Sequence, residues 1–318
     1  MSISKHLLSV LNLTKLKILE YILKAETIKS MYEINPTSLK TQLEGKILVS
    51  VFYEPSTRTS CSFQSAMLKL GGNVISITDK YSSVEKGESL EDTIKTLNSY
   101  GDAIVIRHPL KGSSIQAANV SNIPVINAGD GNGEHPTQAL LDIFTIKTEL
   151  EKFNIILDDD KREKIRITFA GDLKNSRTIH SLIHVLSLFP KITFIYVSPN
   201  GLEMPEEIKN RIKVFEIEQL ENKSLQEALQ ISDVVYMTRI QKERFSNEEE
   251  YKNIMKTNNY IIDENMMKYA KEKMILMHPL PRLNEINVDV DKDPRAVYFK
   301  QVENGVYMRM AILNNILN

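Results

Sequence analysis

Residues 47–59 read Ile-Leu-Val-Ser-Val-Phe-Tyr-Glu-Pro-Ser-Thr-Arg-Thr. The apolar and β-branched residues at the start of this stretch predict a buried strand over Ile47–Phe52. The residues after it predict a helix that ends at Gly71-Gly72. A buried strand that leads directly into a helix is the repeating unit of parallel α/β architecture, so this stretch predicts the fold class.

The alternation of short strands and longer helical segments continues along the chain in two series. The predicted strands are Ile47–Phe52, Val74–Ile77, Ala103–Arg107 and Pro124–Asn127 in the first series, and Ile165–Ala170, Ile192–Val197, Val234–Thr238 and Met274–His278 in the second. A helix over residues 136–150 joins the two series, and a closing helix is predicted over residues 304–317. The sequence therefore predicts two α/β units.

Composition excludes several classes of protein. The 318 residues are 42% apolar and 25% charged, which is ordinary for a globular chain with room for two domains. The formal net charge of -1 provides no overall basic field for nucleic acid or acidic lipid. Any anion must therefore be bound by arginines that are placed locally.

The single cysteine, Cys61, cannot form an intrachain disulfide, and this favours a reducing compartment, the cytoplasm. No apolar run approaches the roughly 20 residues of a membrane span. The leucines and valine of residues 7–13 predict an amphipathic N-terminal helix rather than a cleaved signal.

Three hydroxyls and a guanidinium gather at the predicted start of the first helix: Ser56, Thr57, Arg58 and Thr59. Free backbone N–H groups and the positive end of the helix dipole favour a phosphate there. The stretch lacks the Gly-rich run and the Gly-Lys ending of a nucleotide P-loop. Simple N-capping by Ser56 or Thr57 is the alternative, but capping accounts for only one hydroxyl.

A second polar segment, residues 127–138, leaves a predicted strand and ends at a helix start. Its His135 can donate to a carbonyl oxygen, and Gln138 can accept from an N–H group. A His before a Pro is also a common structural turn residue. Its place at the end of a strand in an α/β sheet favours a binding role, because ligands gather there.

Two further patterns are weak. His180 and His184 lie four residues apart on a predicted helix. A zinc-protease helix carries an acidic residue between its two histidines, and this segment has none there, so we expect no metal. The turn at Gly171-Asp172 lacks the Gly-x-Gly-x-x-Gly run of a dinucleotide site.

Seven motifs follow one another along nearly the full length. They are Ser56-Thr-Arg-Thr59, Lys86-Gly-Glu-Ser-Leu-Glu-Asp-Thr93, Ile106-Arg-His-Pro109, His135-Pro-Thr-Gln138, Gly171-Asp-Leu-Lys-Asn-Ser-Arg177, Thr238-Arg-Ile-Gln241 and His278-Pro-Leu-Pro-Arg282. In this order they closely resemble the family of aspartate carbamoyltransferase catalytic chains. The resemblance implies an α/β fold of two doubly wound parallel-sheet domains of the aspartate/ornithine carbamoyltransferase type, in which the C-terminal helix packs back on the N-terminal domain.

The resemblance also implies domain bounds and a reaction. Residues 1–148, with the C-terminal helix over residues 300–318, are expected to bind carbamoyl phosphate, and residues 149–299 are expected to bind aspartate. The implied reaction converts carbamoyl phosphate and L-aspartate to N-carbamoyl-L-aspartate and phosphate in pyrimidine biosynthesis.

Residue roles are carried over from the family's motifs. Phosphate binding is implied for Ser56, Thr57, Arg58 and Thr59 with support from Arg107. Polarisation of the carbamoyl oxygen is implied for the catalytic residues Thr59, Arg107 and His135. Acceptance of the carbamoyl N–H groups is implied for Gln138 and for backbone carbonyls near Pro279 and Leu280, so that Leu280 and Pro281 count among the donor-binding residues.

For the acceptor, the resemblance implies that Arg177, helped by Arg107, binds the α-carboxylate of aspartate. The side-chain carboxylate is assigned to Arg239, Gln241 and Lys86. Ornithine enzymes of the family carry Ser-Met-Gly and His-Cys-Leu-Pro segments, and this chain has neither. Several fixed cations also suit a dicarboxylate and would repel the ornithine side chain.

The family's active sites are shared within a homotrimer. The resemblance therefore implies that Lys86 and either Ser82 or Ser83 reach into the site of a neighbouring subunit. No cofactor, metal, nucleic acid or membrane partner is expected, and regulatory or pathway partners are left open. Two alternatives are a transcarbamoylase with another amine acceptor, such as ornithine, and a catalytically dead scaffold homologue.

Overall fold

The computed structural model describes residues 5–78, 87–221, 223–240, 247, 249 and 260–318. The chain divides into two compact units. One unit extends to Phe144 and also includes Val302–Asn318, and the other is Thr145–Gln301.

The first unit contains a four-stranded parallel sheet. Its strands are β1 (Ile47–Phe52), β2 (Asn73–Thr78), β3 (Ala103–His108) and β4 (Val125–Asp130), in the order β2-β1-β3-β4. The order reverses between β1 and β3, and Phe52 at the end of β1 is in register with Arg107 at the end of β3. In open α/β sheets, ligands bind beyond the carboxyl ends of the strands at such a reversal.

Helices cover this sheet. They are α1 (Lys15–Ile34), α2 (Thr57–Lys69), α3 (Leu90–Leu97), α4 (Ser113–Val120) and the first part of α5 (Pro136–Glu151). Apolar side chains of β1, β3 and α3, among them Val51, Ile104 and Ile94, form one buried cluster. Because β1 and β3 carry near-continuous apolar runs, they suit the centre of a parallel sheet.

The second unit contains a five-stranded parallel sheet. Its strands are β5 (Ile165–Ala170), β6 (Ile192–Val197), β7 (Glu218–Leu220), β8 (Val234–Met237) and β9 (Ile275–Met277), in the order β7-β6-β5-β8-β9. The described residues of this unit include the helices α6 (Arg177–Ser187), α7 (Glu206–Lys213), α8 (Leu225–Ile231) and α9 (Glu264–Met267). Here the strand order reverses between β5 and β8.

The C-terminal helix, α10 (Tyr298–Leu317), begins earlier than predicted. From residue 302 onward it belongs to the first unit, where Arg309 Nη1 donates to Ser62 Oγ at 3.0 Å. Asn314 Nδ2 also donates to Gln42 Oε1 at 3.1 Å. The prediction that this helix packs back on the N-terminal domain is confirmed.

The eight predicted strands are present, although some bounds differ; β4, for example, runs to Asp130. The prediction of an amphipathic helix over residues 7–13 is wrong. Leu7 instead forms a parallel bridge with Ile126, and only a 3-10 turn follows at Val10–Asn12. Among the described helices, none combines the length and the apolar character that a bilayer span requires.

Candidate active site

The turn between β1 and α2 lies at the strand reversal of the first unit. Ser56 is the N-cap residue of α2, yet its side chain makes no capping bond to the helix. Its Oγ instead accepts a hydrogen bond from Nη1 of Arg107 at 3.2 Å. The Ser56 hydroxyl therefore does not cap the helix. The guanidinium of Arg107 lies beside the start of α2 instead.

Arg107 is held from a second direction. Its Nε donates to Oε2 of Glu54 at 3.1 Å, and both side chains are mostly buried. Burial lowers the pKa of the Arg107 guanidinium, while the Glu54 carboxylate acts in the opposite sense. Two directed bonds to Glu54 and Ser56 fix the plane of the guanidinium at the end of β3.

The other hydroxyls of the turn differ in exposure. Thr57 and Arg58, in the first turn of α2, are exposed, whereas Thr59 is buried. Thr59 Oγ1 lies 3.5 Å from Nε2 of His135. The first unit thus brings Ser56, Thr59, Arg107 and His135 together near the ends of β1 and β3.

The segment that carries His135 is anchored by its own polar groups. Asp130 Oδ2 accepts from the N–H of Gly112 at 2.8 Å, and its Oδ1 accepts from the N–H of Glu134 at 2.8 Å. Glu134 Oε2 in turn accepts from the N–H of Val10 at 2.7 Å. His135 is 3% exposed, so its ring is fixed within the fold just before α5.

Gln138 lies in the first turn of α5. Its Nε2 donates to Oδ1 of Asp142 at 2.9 Å, one helical turn further on. Asp142 is fully buried. The amide is therefore oriented by a carboxylate within its own helix.

In the second unit, Arg177 begins α6 after the turn that follows β5. Asp172 shapes this turn, because its Oδ1 accepts from the N–H of Asn175 at 3.0 Å and from Asn175 Nδ2 at 3.1 Å. Gly171 has a φ of 108°, and a Cβ there would lie 2.1 Å from the carbonyl oxygen of Thr238. Only glycine allows the ends of β5 and β8 to approach this closely.

Arg239 follows β8, and the Pro279-Leu280-Pro281 segment follows β9. Since β5, β8 and β9 are adjacent and parallel, these residues and Arg177 all follow carboxyl ends at one edge of the sheet. The β9 segment is held by His278, whose Nδ1 accepts from the N–H of Leu280 at 2.8 Å.

Some predicted site residues lie outside the described residues: Ser82, Ser83, Lys86 and Gln241.

His180 and His184 are buried to different degrees, and burial lowers the pKa of each imidazole. His180 Nε2 lies 2.7 Å from the carbonyl oxygen of Leu173, so it is a donor there. In the described part of the chain, no group of three His, Cys, Asp or Glu side chains suits a metal ion.

Three carboxylates that bond residues of the seven motifs were not singled out from the sequence. They are Glu54, Asp142 and Glu285, which bond Arg107, Gln138 and His278 respectively. Glu54 lies within residues 47–59, so its nearness to the phosphate-binding turn could be seen in the sequence. The other two have no local signal, because a carboxylate on a helix or loop is usually a solvated residue.

Comparisons with known proteins match both parts of the chain to the two domains of one family. Residues 5–148 match the family described as aspartate/ornithine carbamoyltransferase, carbamoyl-P binding domain. Residues 163–316 match the aspartate/ornithine carbamoyltransferase, Asp/Orn binding domain.

Individual relatives cover the chain almost completely. It is 49% identical over 296 residues to the aspartate carbamoyltransferase catalytic subunit of Clostridium perfringens, covering 92% of this chain and 93% of that protein. It is 48% identical over 315 residues to the multifunctional protein CAD of Squalus acanthias, covering 99% of this chain. The chain spans 13% of the length of that larger protein.

A similar solved structure is that of aspartate transcarbamoylase from Trypanosoma cruzi in complex with carbamoyl aspartate and phosphate. The TM-score is 0.90 at 39% sequence identity, and the match covers 98% of this chain and 96% of that chain. The chain belongs to the aspartate/ornithine carbamoyltransferase family.

Proposed function

We propose that this chain transfers the carbamoyl group of carbamoyl phosphate to the amino group of L-aspartate, an early committed step of pyrimidine biosynthesis. The observation that carries the proposal is the arrangement at the reversal of the first sheet. There, Arg107 bonds Ser56 at the start of α2, and Thr59 lies against His135. The relatives named as aspartate carbamoyltransferase support the choice of reaction.

The donor is held by its phosphate. The N-terminus of α2 offers free N–H groups and the positive end of its dipole, and Arg107 is a directed cation beside them. Ser56, Thr57, Arg58 and Thr59 supply further donors. Thr59, Arg107 and His135 polarise the carbamoyl oxygen. Gln138 and the backbone carbonyls near Pro279 and Leu280 accept hydrogen bonds from the carbamoyl N–H groups.

The chemistry then needs positioning and charge stabilisation. The aspartate amine attacks the carbamoyl carbon, negative charge grows on the oxygen, and the C–O bond to phosphate breaks. The leaving phosphate takes the proton that the amine loses. No covalent bond to the protein forms in this route, so the protein's part is to hold both substrates and stabilise the oxyanion.

The acceptor is recognised by its two carboxylates. Arg177 and Arg239 follow adjacent strands of the second sheet and provide fixed cations for a dicarboxylate. Gln241 and Lys86 complete the proposed set. An ornithine side chain carries a positive charge that these cations would repel.

A direct assay tests the proposal. The purified chain is incubated with carbamoyl phosphate and either L-aspartate or L-ornithine, and product is measured by a colorimetric ureido assay. We expect product from aspartate only, and we expect Arg239→Ala to raise the KM for aspartate. Arg166 is an exposed arginine on β5, and Arg166→Ala is the matched control that should leave the KM for aspartate unchanged. Turnover with ornithine would favour the other acceptor class, and tight binding of a bisubstrate analogue without turnover would favour a scaffold.

We further propose that the protein acts in the cytoplasm as a homotrimer with shared active sites. The resemblance supports the trimer, in which Lys86 and either Ser82 or Ser83 would serve a neighbouring subunit. The single cysteine, Cys61, is a free thiol and supports a reducing compartment.

A further inference from the structure

The loop that follows β9 contains a residue in an unfavourable backbone conformation. Leu280 has a φ of 56°, in the left-handed region that disfavours every residue with a Cβ. Such a conformation persists only where its surroundings hold it, and it is concentrated at functional sites. The carbonyl of Leu280 is one of those proposed to accept a carbamoyl N–H, so the groups that hold this residue bear on donor binding.

The backbone of this loop is tied on both sides of Leu280. Nδ1 of His278 accepts from the N–H of Leu280 at 2.8 Å. Further along the chain, the N–H of Leu283 lies 3.2 Å from both carboxylate oxygens of Glu285. Between these two ties stands Arg282, the member of its motif to which the proposed reaction assigns no role.

The guanidinium of Arg282 contacts one carboxylate with two nitrogens. Nη1 donates to Oδ1 of Asp291, and Nη2 donates to Oδ2 of the same residue at 2.6 Å. A bidentate pair of this kind fixes direction as well as distance. The hydrogen bond from Arg282 is the main cause that holds the pKa of Asp291 below its ordinary value of 3.8, so the carboxylate is charged at neutral pH.

A buried phenol completes the cluster. Nη1 of Arg282 also donates to the hydroxyl oxygen of Tyr298 at 2.8 Å, and that hydroxyl donates to Oδ1 of Asp291. Tyr298 is fully buried at the start of α10 and belongs to the same apolar cluster as Val290, the residue before Asp291. Because both partners of Arg282 are anchored to this core, the side chain ties the loop after β9 to the interior of the second unit.

We propose that Arg282 is a positioning residue for the donor, which holds the turn at Leu280 so that the backbone carbonyls of Pro279 and Leu280 face the carbamoyl N–H groups. In this role the guanidinium does not touch the substrate and acts through the backbone of the loop. The inference rests on the proposed function and adds to it a basis for selecting a donor that carries N–H groups.

The test compares two compounds that differ at one group. Carbamoyl phosphate carries NH₂ where acetyl phosphate carries CH₃, so only carbamoyl phosphate can donate to these carbonyls. For each variant, the KM for carbamoyl phosphate and the inhibition constant of acetyl phosphate against it are measured. In Arg282→Met we expect the KM to rise by about tenfold, which corresponds to roughly one hydrogen bond, with little change in the inhibition constant.

Tyr298→Phe is a milder second variant. It removes the hydroxyl that bonds both Arg282 and Asp291, but it keeps the aromatic ring in the core. We expect the same selective rise in the KM for carbamoyl phosphate, smaller than in Arg282→Met because the bidentate pair remains.

Arg295 provides a matched control within the same unit. It also makes a bidentate pair, in which Nε donates to Oδ1 of Asp293 at 2.9 Å and Nη2 donates to Oδ2 at 2.6 Å. Its side chain is 19% exposed, close to the 13% of Arg282. Nη2 also donates to the carbonyl oxygen of Met267 on α9. Arg295→Met should therefore lower the melting temperature without changing the ratio of the two constants.

A selective rise in the KM of Arg282→Met supports the inference, whereas an unchanged KM or an equal loss of affinity for both compounds overturns it. Where that variant does not fold, the same criteria apply to Tyr298→Phe. A selective loss in Arg295→Met as large as that in Arg282→Met would overturn it too, because destabilisation of the unit would then suffice. Absence of carbamoyl transfer by the wild-type chain would instead refute the proposed function, which the same assay reports separately.

Discussion

Nε2 of His278 lies 2.8 Å from Oε1 of Glu285, and both side chains are buried. Because Nδ1 of His278 accepts from the N–H of Leu280, the ring proton is on Nε2 and is donated to the carboxylate. Glu285 also accepts from the N–H of Leu283 at 3.2 Å. The pair therefore holds the loop that carries Leu280 and Pro281.

This pair predicts a pH dependence of stability. Burial raises the pKa of the Glu285 carboxyl, but the hydrogen bonds from His278 and from the backbone N–H groups of Leu283 and Glu285 outweigh burial and leave the pKa below its ordinary value of 4.5. A group with a lowered folded-state pKa stabilises the fold above its unfolded pKa and loses that contribution as pH falls through the folded pKa. We expect Glu285→Gln to lower the free energy of unfolding by about 1–3 kcal/mol at neutral pH.

Urea unfolding as a function of pH measures this effect. The difference between wild type and Glu285→Gln should be constant near neutrality and shrink as pH falls below 4.5. Glu272→Gln, at an exposed position of the same unit, should match wild type throughout. A difference that is independent of pH would contradict the assigned ionisation.

His135 is expected to stabilise the carbamoyl oxyanion. Loss of one such donor in His135→Ala should reduce turnover by about 10² to 10³. His6→Ala removes another imidazole of the same unit, which accepts from the N–H of Val125, and should leave turnover unchanged. Near-normal turnover of His135→Ala in a steady-state assay would remove His135 from the catalytic residues.

Arg107 is expected to depend on its shape as well as its charge. A lysine ammonium is a single compact charge and cannot reproduce the two directed bonds to Glu54 and Ser56. Arg107→Lys should lower kcat/KM for carbamoyl phosphate on the order of 10²-fold through misplacement of the cation. Arg166→Lys is the control, and full activity of Arg107→Lys would show that charge alone suffices.

Two glycines with positive φ give a matched pair of stability tests. Gly171→Ala places a Cβ 2.1 Å from the carbonyl of Thr238, so the ends of β5 and β8 must separate. Gly201 has a φ of 86° but nothing within 4 Å of a Cβ. We expect Gly201→Ala to cost about 1 kcal/mol, the strain of the backbone alone, and Gly171→Ala to cost roughly 3 kcal/mol or more. Equal melting temperatures of the two variants would contradict the close approach.

Shared active sites predict complementation between inactive chains. When Arg58→Ala and Lys86→Ala chains are unfolded, mixed and reassembled, some sites should combine an intact Arg58 with an intact Lys86 of a neighbour. Activity should then recover in the mixture but not in either chain treated alone. A mixture that reassembles into trimers and stays inactive would argue against sharing.

The strands show where local pattern suffices and where it fails. β1 and β5 were predicted from apolar, β-branched runs, since a strand buried on both faces needs such a run whatever its neighbours are. β7 was missed because Glu218–Leu220 is a short, polar edge strand with little burial to mark it. The wrong prediction of a helix over residues 7–13 has a related cause. The spacing of the leucines in this segment could not reveal that Leu7 pairs with Ile126 in the edge strand β4.

By itself, the sequence determined the α/β class and the succession of strands along the chain in two series. It also determined that Ser56, Thr59 and His135 lie at strand-to-helix turns. These features depend on the period of apolar residues and on neighbours along the chain. Only the tertiary structure decided that Arg107 bonds Glu54 and Ser56, and that the buried Arg309 on α10 bonds Ser62 on α2. The physical reason is burial, because a charged side chain must find its counter-charge once it leaves water, and the partner can come from any distant segment that packs against it.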